Sequence, residues 1–460
     1  MTSGPTPGVL PVLPDAELEA AVERLEATGA RMLVGSMLDM AGVARVKSVP
    51  INRAATFHRA GMGASPVWNV FCIDNTVAIT DRIGVVGDLR LRADLGVATG
   101  LEPSYAWAPV EIFDQHGTPW AGCARGRLRR LQAEAESIGL DVLVGNELEF
   151  VVTAADGSAF PAARWQAYGL GALFGFEEFV AGLHDALSDA GVPVEQVHPE
   201  YASHQFEFSI APSSPLQAAD RVVLARLVTA RVARRHGLLV SFSPQPVAGE
   251  AGNGAHQHLS LYRAGKPLLS GGTGPHGMTP DGAAALAGVV LGLPESLGVF
   301  AGSVLSSARL QPGHWSGAFA CWGLENREAA VRFCAATPGN PHGANIELKC
   351  VDPSGNPYLT VAMMLGLALH GVTEGIPLPA EVTRDPAKLA AAEARQARVV
   401  RLAETQASAI GLLRESKLAE HVLGTDILSA LLTVRTHEIS SYADTPIDEL
   451  TERFRFAWSS

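Results

Sequence analysis

Apolar and polar positions follow two different periods along this chain. In DAELEAAVERLEAT (15–28) apolar residues recur three and four apart, which places them on one face of a helix with Asp15 at its N-cap. The period then falls to two. MLVGSML (32–38) and VARVKSV (43–49) read as strands, and DMAG between them reads as a hairpin turn. VFCIDNTVAIT (70–80) and WAPVEIFD (107–114) read as further strands. Past Arg125 longer helices alternate with strands: FEEFVAGLHDALSDAG (176–191) and DRVVLARLVTARVARRHG (220–237) are the clearest, and 385–435 is largely helical by composition. The pattern predicts a Pro- and Gly-rich arm over 1–14, a small strand-rich domain over 15–115, and a larger mixed domain over 116–460.

Four strand-like segments share one grammar. In GNELEF, Glu147 and Glu149 lie on one face, roughly 6.5–7 Å apart. In HQFEFSIAP, Gln205, Glu207 and Ser209 oppose Phe206, Phe208 and Ile210. In GNGAHQHLSL, His256, His258 and Ser260 share a face, and in NIELKCV, Asn345, Glu347 and Lys349 do. One such strand would be the wet side of an antiparallel sheet. Four, each with carboxylate or imidazole chemistry on one face, predict a common lined cavity.

Composition narrows the chemistry. The formal net charge is −12, the pI is about 5.6 and aromatic residues make up 6%. Such a chain has no basic stripe for nucleic acid. Its short run RGRLRR (125–130) reads as the wet face of a helix continuing into LQAEAESIG. Five dispersed cysteines without a C-x-x-C fit a reducing compartment. No Lys or Arg precedes Arg24, so no secretion signal is expected, and apolar runs such as AAALAGVVLGL before Pro294 look too short to span a membrane. The expectation is a soluble cytoplasmic protein.

Glutamates in excess over histidine suit Mg²⁺ or Mn²⁺ better than zinc. Arg309, Arg327, Arg332 and Lys349 add cations for anionic groups, completing an inventory for phosphoryl transfer. Neither G-x-x-x-x-G-K-[ST] nor G-x-G-x-x-G occurs, so a different scaffold must hold the nucleotide.

GNELEF, HPEYASHQFEFS, NGAHQHLSL, RLQPG, ENREAAVRF and IELKCVDPSGNPYL occur in the order found in the glutamine synthetase family, which the chain resembles from about Asp39 to its C-terminus. The resemblance is to type I-like members and to an actinobacterial branch of γ-glutamyl-amine ligases. It implies an α+β fold: a β-grasp domain at 15–115, then a glutamine synthetase/guanido-kinase-like catalytic domain at 116–460 with a strand-lined funnel. It also implies a homo-dodecamer with sites between subunits. By position, Glu149, Glu200 and Glu207 resemble the ligands of the metal that activates glutamate. Glu147, His256 and Glu347 resemble those of the metal on the ATP phosphates, so two or more Mg²⁺ or Mn²⁺ are expected. Glu195, His258 and Ser260 match nucleotide-side positions. Arg309, Lys349 and the backbone at Gly252 match the glutamate pocket, and Arg327 and Arg332 the transferring phosphoryl group.

The departures bear on the nucleophile. Met62 stands where ammonium-using relatives resemble one another in an aspartate, and Trp315 where their flap carries a glutamate. Neither holds or deprotonates ammonium, whereas an indole offers apolar area and a cation-π face to an alkylammonium. Asn345, His204 and Ala251 replace an arginine, a glycine and an asparagine, and no tyrosine lies between Leu359 and Ser440 for adenylylation. Two classes are weighed: a ligase acting on L-glutamate, ATP and a small organic amine, and an inactive assembly or regulatory paralogue. Intact metal and arginine positions favour the ligase. Because PGHWSGAF (312–319) has no acid for a polyamine's distal charges, a monoamine, ethanolamine foremost, is expected over a polyamine, and ammonium least.

Overall fold

The computed structural model describes residues 7–162, 165–341 and 343–459; residues 1–6 of the expected arm lie outside them. The helix Asp15–Ala27 buries Leu18, Ala21 and Leu25 against a six-stranded sheet. Its strands are β1 (Met32–Leu38), β2 (Ala44–Pro50), β3 (Met62–Ala64), β4 (Leu89–Ala93), β5 (Thr99–Leu101) and β6 (Tyr105–Phe113), in the order β2-β1-β6-β4-β3 with β5 beside β6. The central β1–β6 pair is parallel and its neighbours are antiparallel. DMAG forms the β1–β2 hairpin because Asp39 Oδ1 accepts from the N–H groups of Ala41 (3.0 Å) and Val43 (2.9 Å). Gly42 there has φ 82°, and a Cβ on it would come within 2.4 Å of Ser354 O.

VFCIDNTVAIT is not a strand. Asp74 Oδ1 accepts from both the N–H and hydroxyl of Thr76, and Asn75 enters the left-handed region (φ 67°). The segment folds back on itself, joined by the isolated Phe71–Val77 bridge.

A ten-stranded sheet follows: β7 (Asp141–Ala154), β8 (Val194–Pro199), β9 (Gln205–Ser213), β10 (Leu238–Ser241), β11 (Gln257–Arg263), β12 (Lys266–Pro267), β13 (Phe319–Leu324), β14 (Ala329–Cys334), β15 (Asn345–Leu348) and β16 (Val400–Arg401). The order is β16-β13-β14-β15-β11-β7-β9-β8, with β10 on β7 and β12 on β11. Its apolar face carries Phe150, whose ring centroid lies 5.6–6.1 Å from those of Phe206, Phe208 and Phe242. Helices Pro215–Arg235, Pro280–Phe300 and Pro357–Glu374 belong to the same core. The middle one continues through Pro294 and is long and apolar enough to cross a membrane, yet 78% of its most apolar stretch is buried inside the protein. It approaches the Pro357–Glu374 helix backbone to backbone: a Cβ at Gly288 would meet Leu367 O at 2.2 Å.

RGRLRR is not a wet face either. On the helix Ala124–Ser137, Arg125 is 2% exposed, because three acids from elsewhere surround it. Its guanidinium donates to Glu111 of β6 (2.7 Å), Asp94 beyond β4 (2.9 Å) and both oxygens of Asp220 (2.9 and 2.8 Å). Arg129 shares Glu111 and Asp94, and the Tyr358 hydroxyl donates to Asp220. The small sheet is thereby tied to two core helices by ion pairs.

Candidate active site

The four polar-faced segments become neighbours in the large sheet, and their register sets the side chains in rows. Glu149 of β7 stands opposite Glu207 of β9, which stands opposite His198 of β8. Arg332 of β14 faces Glu347 of β15, which faces His258 of β11. Glu147, Glu149, Glu200, Glu207, His256 and Glu347 all line one cavity of about 1220 Å³.

Among the described residues, three sets of side chains bring ligand atoms within 4.8 Å of one another: Glu147, Glu207 and His256; Glu147, His258 and Glu347; His198, Glu200 and Glu207. Each is oxygen-rich with a single imidazole, a donor set that fits a hard divalent cation. Glu149 belongs to none of the three; its Oε2 accepts from Gly254 N–H (2.7 Å) and Gln205 Nε2 (3.0 Å).

Burial and the carboxylates of Glu147, Glu149 and Glu200 push Glu207 well above the ordinary carboxylate range. Burial opposes ionisation of Glu147, but hydrogen bonds with His256 and His258 hold it far below its usual value. For Glu347, burial is outweighed by Lys349, His258 and His256, which bring it down to about 2. Packed carboxylates that force one of their number toward neutrality are relieved by a bound cation.

Residues 121–453 match the family model described as glutamine synthetase, catalytic domain. The chain is 39% identical to gamma-glutamylpolyamine synthetase GlnA3 of Streptomyces coelicolor over 99% of both proteins. It is 29% identical to the glutamine synthetase of Clostridium saccharobutylicum, over 72% of this chain and 75% of that one. The chain belongs to the glutamine synthetase family. A crystal structure of a glutamine synthase homolog superposes with a TM-score of 0.83 at 30% identity, covering 94% of this chain and 99% of that one. GmaS in complex with ADP gives 0.81 at 25% identity, covering 93% and 97%. The α+β fold expected from the resemblance is thus observed. As a glutamine synthetase family member the protein is an ATP-dependent glutamate–amine ligase; divalent metal use is the family's pattern.

The remaining site residues divide. Arg309 lines the cavity, 4% exposed, donating through Nη2 to Lys349 O (3.0 Å) while its buried Nη1 has no partner among the described residues, a donor free for an anionic ligand. Lys349 Nζ and Arg332 Nη1 both donate to Glu347, at 3.3 and 3.1 Å, and Arg332 also pairs with Glu325. Arg327 is exposed and lines the cavity. Gly252 lines it with backbone, since a Cβ would meet Pro244 O at 2.2 Å.

His258, Glu195, Ser260 and Met62 do not line the cavity of this chain. His258 lies behind Glu147, its Nδ1 2.9 Å from Asn345 Oδ1. Glu195 is exposed at a β-bulge in β8, and Ser260 donates to Ala344 O. Met62 sits half-buried on the edge strand β3.

Trp315 lines the cavity with 51% exposure and a left-handed backbone (φ 51°). Three residues were missed by sequence reasoning. His198 Nε2 lies 3.0 Å from Glu200 Oε1, and its place two before Glu200 in VHPE was the available signal. Glu250 also lines the cavity, and Glu328 meets the flap backbone, so an acid does reach a flap that has none of its own. Nothing local in sequence marks those two contacts.

Proposed function

We propose that the protein joins the γ-carboxylate of L-glutamate to a small organic amine, a monoamine such as ethanolamine foremost, rather than to ammonium. The observation that carries this reading is the half-exposed Trp315 indole on the cavity wall, where ammonium users bear a glutamate. Met62 in place of an acid supports it if a neighbouring subunit brings β3 to this cavity, in the homo-dodecamer that the resemblance implies. Two or more Mg²⁺ or Mn²⁺ are assigned to the carboxylate-rich groups. Bound there, they would supply Lewis-acid neutralisation of the nucleotide phosphates.

Arg309, Lys349 and the Gly252 backbone are assigned to glutamate, and Glu195, His258 and Ser260 to the nucleotide side. Arg327 and Arg332 neutralise the γ-phosphoryl group as it passes to the glutamate γ-carboxylate oxygen, giving γ-glutamyl phosphate and ADP. The amine nitrogen then attacks the acyl carbon, loses a proton, and phosphate leaves with the C–O electron pair. A reducing cytoplasmic location suits the five free thiols.

A second reading, a polyamine acceptor, is favoured by Glu250 on the cavity wall and by the 39% identical relative named for polyamine. Phosphate release with glutamate, ATP and a panel of ammonium, ethanolamine, alkylamines, putrescine and spermidine separates the readings. One or two methylenes on the indole are worth about 1–2 kcal/mol and a cation-π contact roughly 0.5–2 kcal/mol. Organic amines should therefore lead ammonium by about one to three decades in kcat/KM, and Trp315→Glu should narrow the gap. Ammonium winning outright would overturn the reading; spermidine winning would select the polyamine branch.

A further inference from the structure

Glu328 lies in the turn between β13 and β14, next to the cavity-lining Arg327. One of its carboxylate oxygens accepts from Gly313 N–H and the other from Trp315 N–H, both at 3.3 Å. The backbone that carries this carboxylate is held from outside the flap. Glu328 N–H donates to Asn326 Oδ1 (3.2 Å), and Asn326 Nδ2 donates to Val382 O (2.8 Å) and Arg384 O (3.0 Å).

The flap turn needs such an anchor. Gly313 and Trp315 both have positive φ, 78° and 51°, and an indole-bearing residue keeps that conformation only where its surroundings enforce it. Within the turn, the Ser316 hydroxyl donates to Gln311 O and His314 N–H to the same oxygen, bonds internal to the loop. The two N–H groups that bracket His314 reach outward, to Glu328.

We infer that Glu328 is a latch for amine specificity: its carboxylate fixes the backbone of the Trp315 turn and so holds the indole over the cavity. This rests on the reading that Trp315 recognises the organic amine. Glu328 is a positioning residue, because it acts through Trp315. The turn that carries it also carries Arg327, so the flap and the phosphoryl end of the site share one anchor.

Glu328→Ala, Glu328→Gln and Trp315→Ala are compared in the full-length protein. The readouts are amide hydrogen exchange over residues 311–318 and steady-state phosphate release with ethanolamine, putrescine or ammonium. Loss of two charge-assisted bonds on a surface turn should speed exchange at Gly313 and Trp315 and raise the organic-amine KM, each by about tenfold or more. KM for ATP and for glutamate should stay at the wild-type value. Glu328→Gln, which keeps one acceptor oxygen, should fall between. Unchanged exchange and unchanged amine preference in Glu328→Ala would overturn the latch. Lost preference with unchanged exchange would also overturn it, since the acid would then be contacting the amine's charge directly. Trp315→Ala with wild-type amine preference would overturn the indole reading itself, whatever Glu328→Ala does.

Discussion

Replacing Arg125 with methionine removes the charge at the centre of the cluster joining the small sheet to the core helices while keeping much of the side-chain volume. In the native protein this 2% exposed guanidinium satisfies Asp94, Glu111 and Asp220. After the change, Arg129 still reaches Asp94 and Glu111, but Asp220 keeps only the Tyr358 hydroxyl. Burying an ion pair is not itself strongly stabilising, yet stripping one partner from a buried pair costs about 3–5 kcal/mol. Three acids for one remaining cation place Arg125→Met in the upper part of that range, about 4–5 kcal/mol at pH 7. Arg125→Lys should cost less, about 1–3 kcal/mol, because an ammonium keeps the charge without the fork. The loss has a pH signature. Burial alone would raise Asp94, but Arg125 and Arg129 hold it below 3.8. A carboxyl so depressed contributes stability above its unfolded pKa and loses it as pH falls through the folded one. The variant lacks part of that depression, so its deficit is full at pH 7 and shrinks below about pH 4. Urea unfolding at fixed protomer concentration, at pH 7 and at about pH 3, inside the window where the depressed carboxyl titrates, measures this. A variant within about 1 kcal/mol of wild type at pH 7, or a deficit that grows on acidification, would refute the argument.

Mg²⁺ with ATP should raise the melting temperature, since ligands that bind only the native state stabilise it; Glu147→Ala and Glu207→Ala should abolish that rise and the turnover while the protein still assembles, and near-wild-type turnover in both would remove the metal assignment. Arg327→Ala should slow phosphoryl transfer by roughly 10³-fold or more, read as phosphate release that requires both glutamate and amine. Release indifferent to glutamate, or equal with aspartate, would count against glutamyl transfer.

The polar faces at GNELEF, HQFEFSIAP, GNGAHQHLSL and NIELKCV were legible because a strand's period of two is a local property of sequence. Their assembly into one row-ordered wall needs β-pairing across long separations: Glu149 meets Glu207, and His258 meets Glu347. Chemistry suggested that convergence; periodicity alone could not specify the register. Where local signals misled, a distant partner or a turn had overridden them. RGRLRR has the composition of a wet helix face, but Asp94, Glu111 and Asp220 offset the desolvation of a buried Arg125, and their positions carry no mark of it. VFCIDNTVAIT has strand composition, but Asp74 and Asn75 turn it before a ladder can form. The flap follows the same logic. PGHWSGAF contains no acid, so its own residues point away from a charged surrounding, yet Glu328 reaches it from the β13–β14 turn and Glu250 lines the same cavity. Of the groups proposed for the metals and phosphates, Glu147, Glu149, Glu207, Arg332 and Glu347 sit on strands, whose alternation announces them. Trp315 and Glu328, proposed for acceptor choice, sit in turns whose neighbours are chosen by the fold, so on that proposal a change of amine would need one turn residue while every strand motif stays intact.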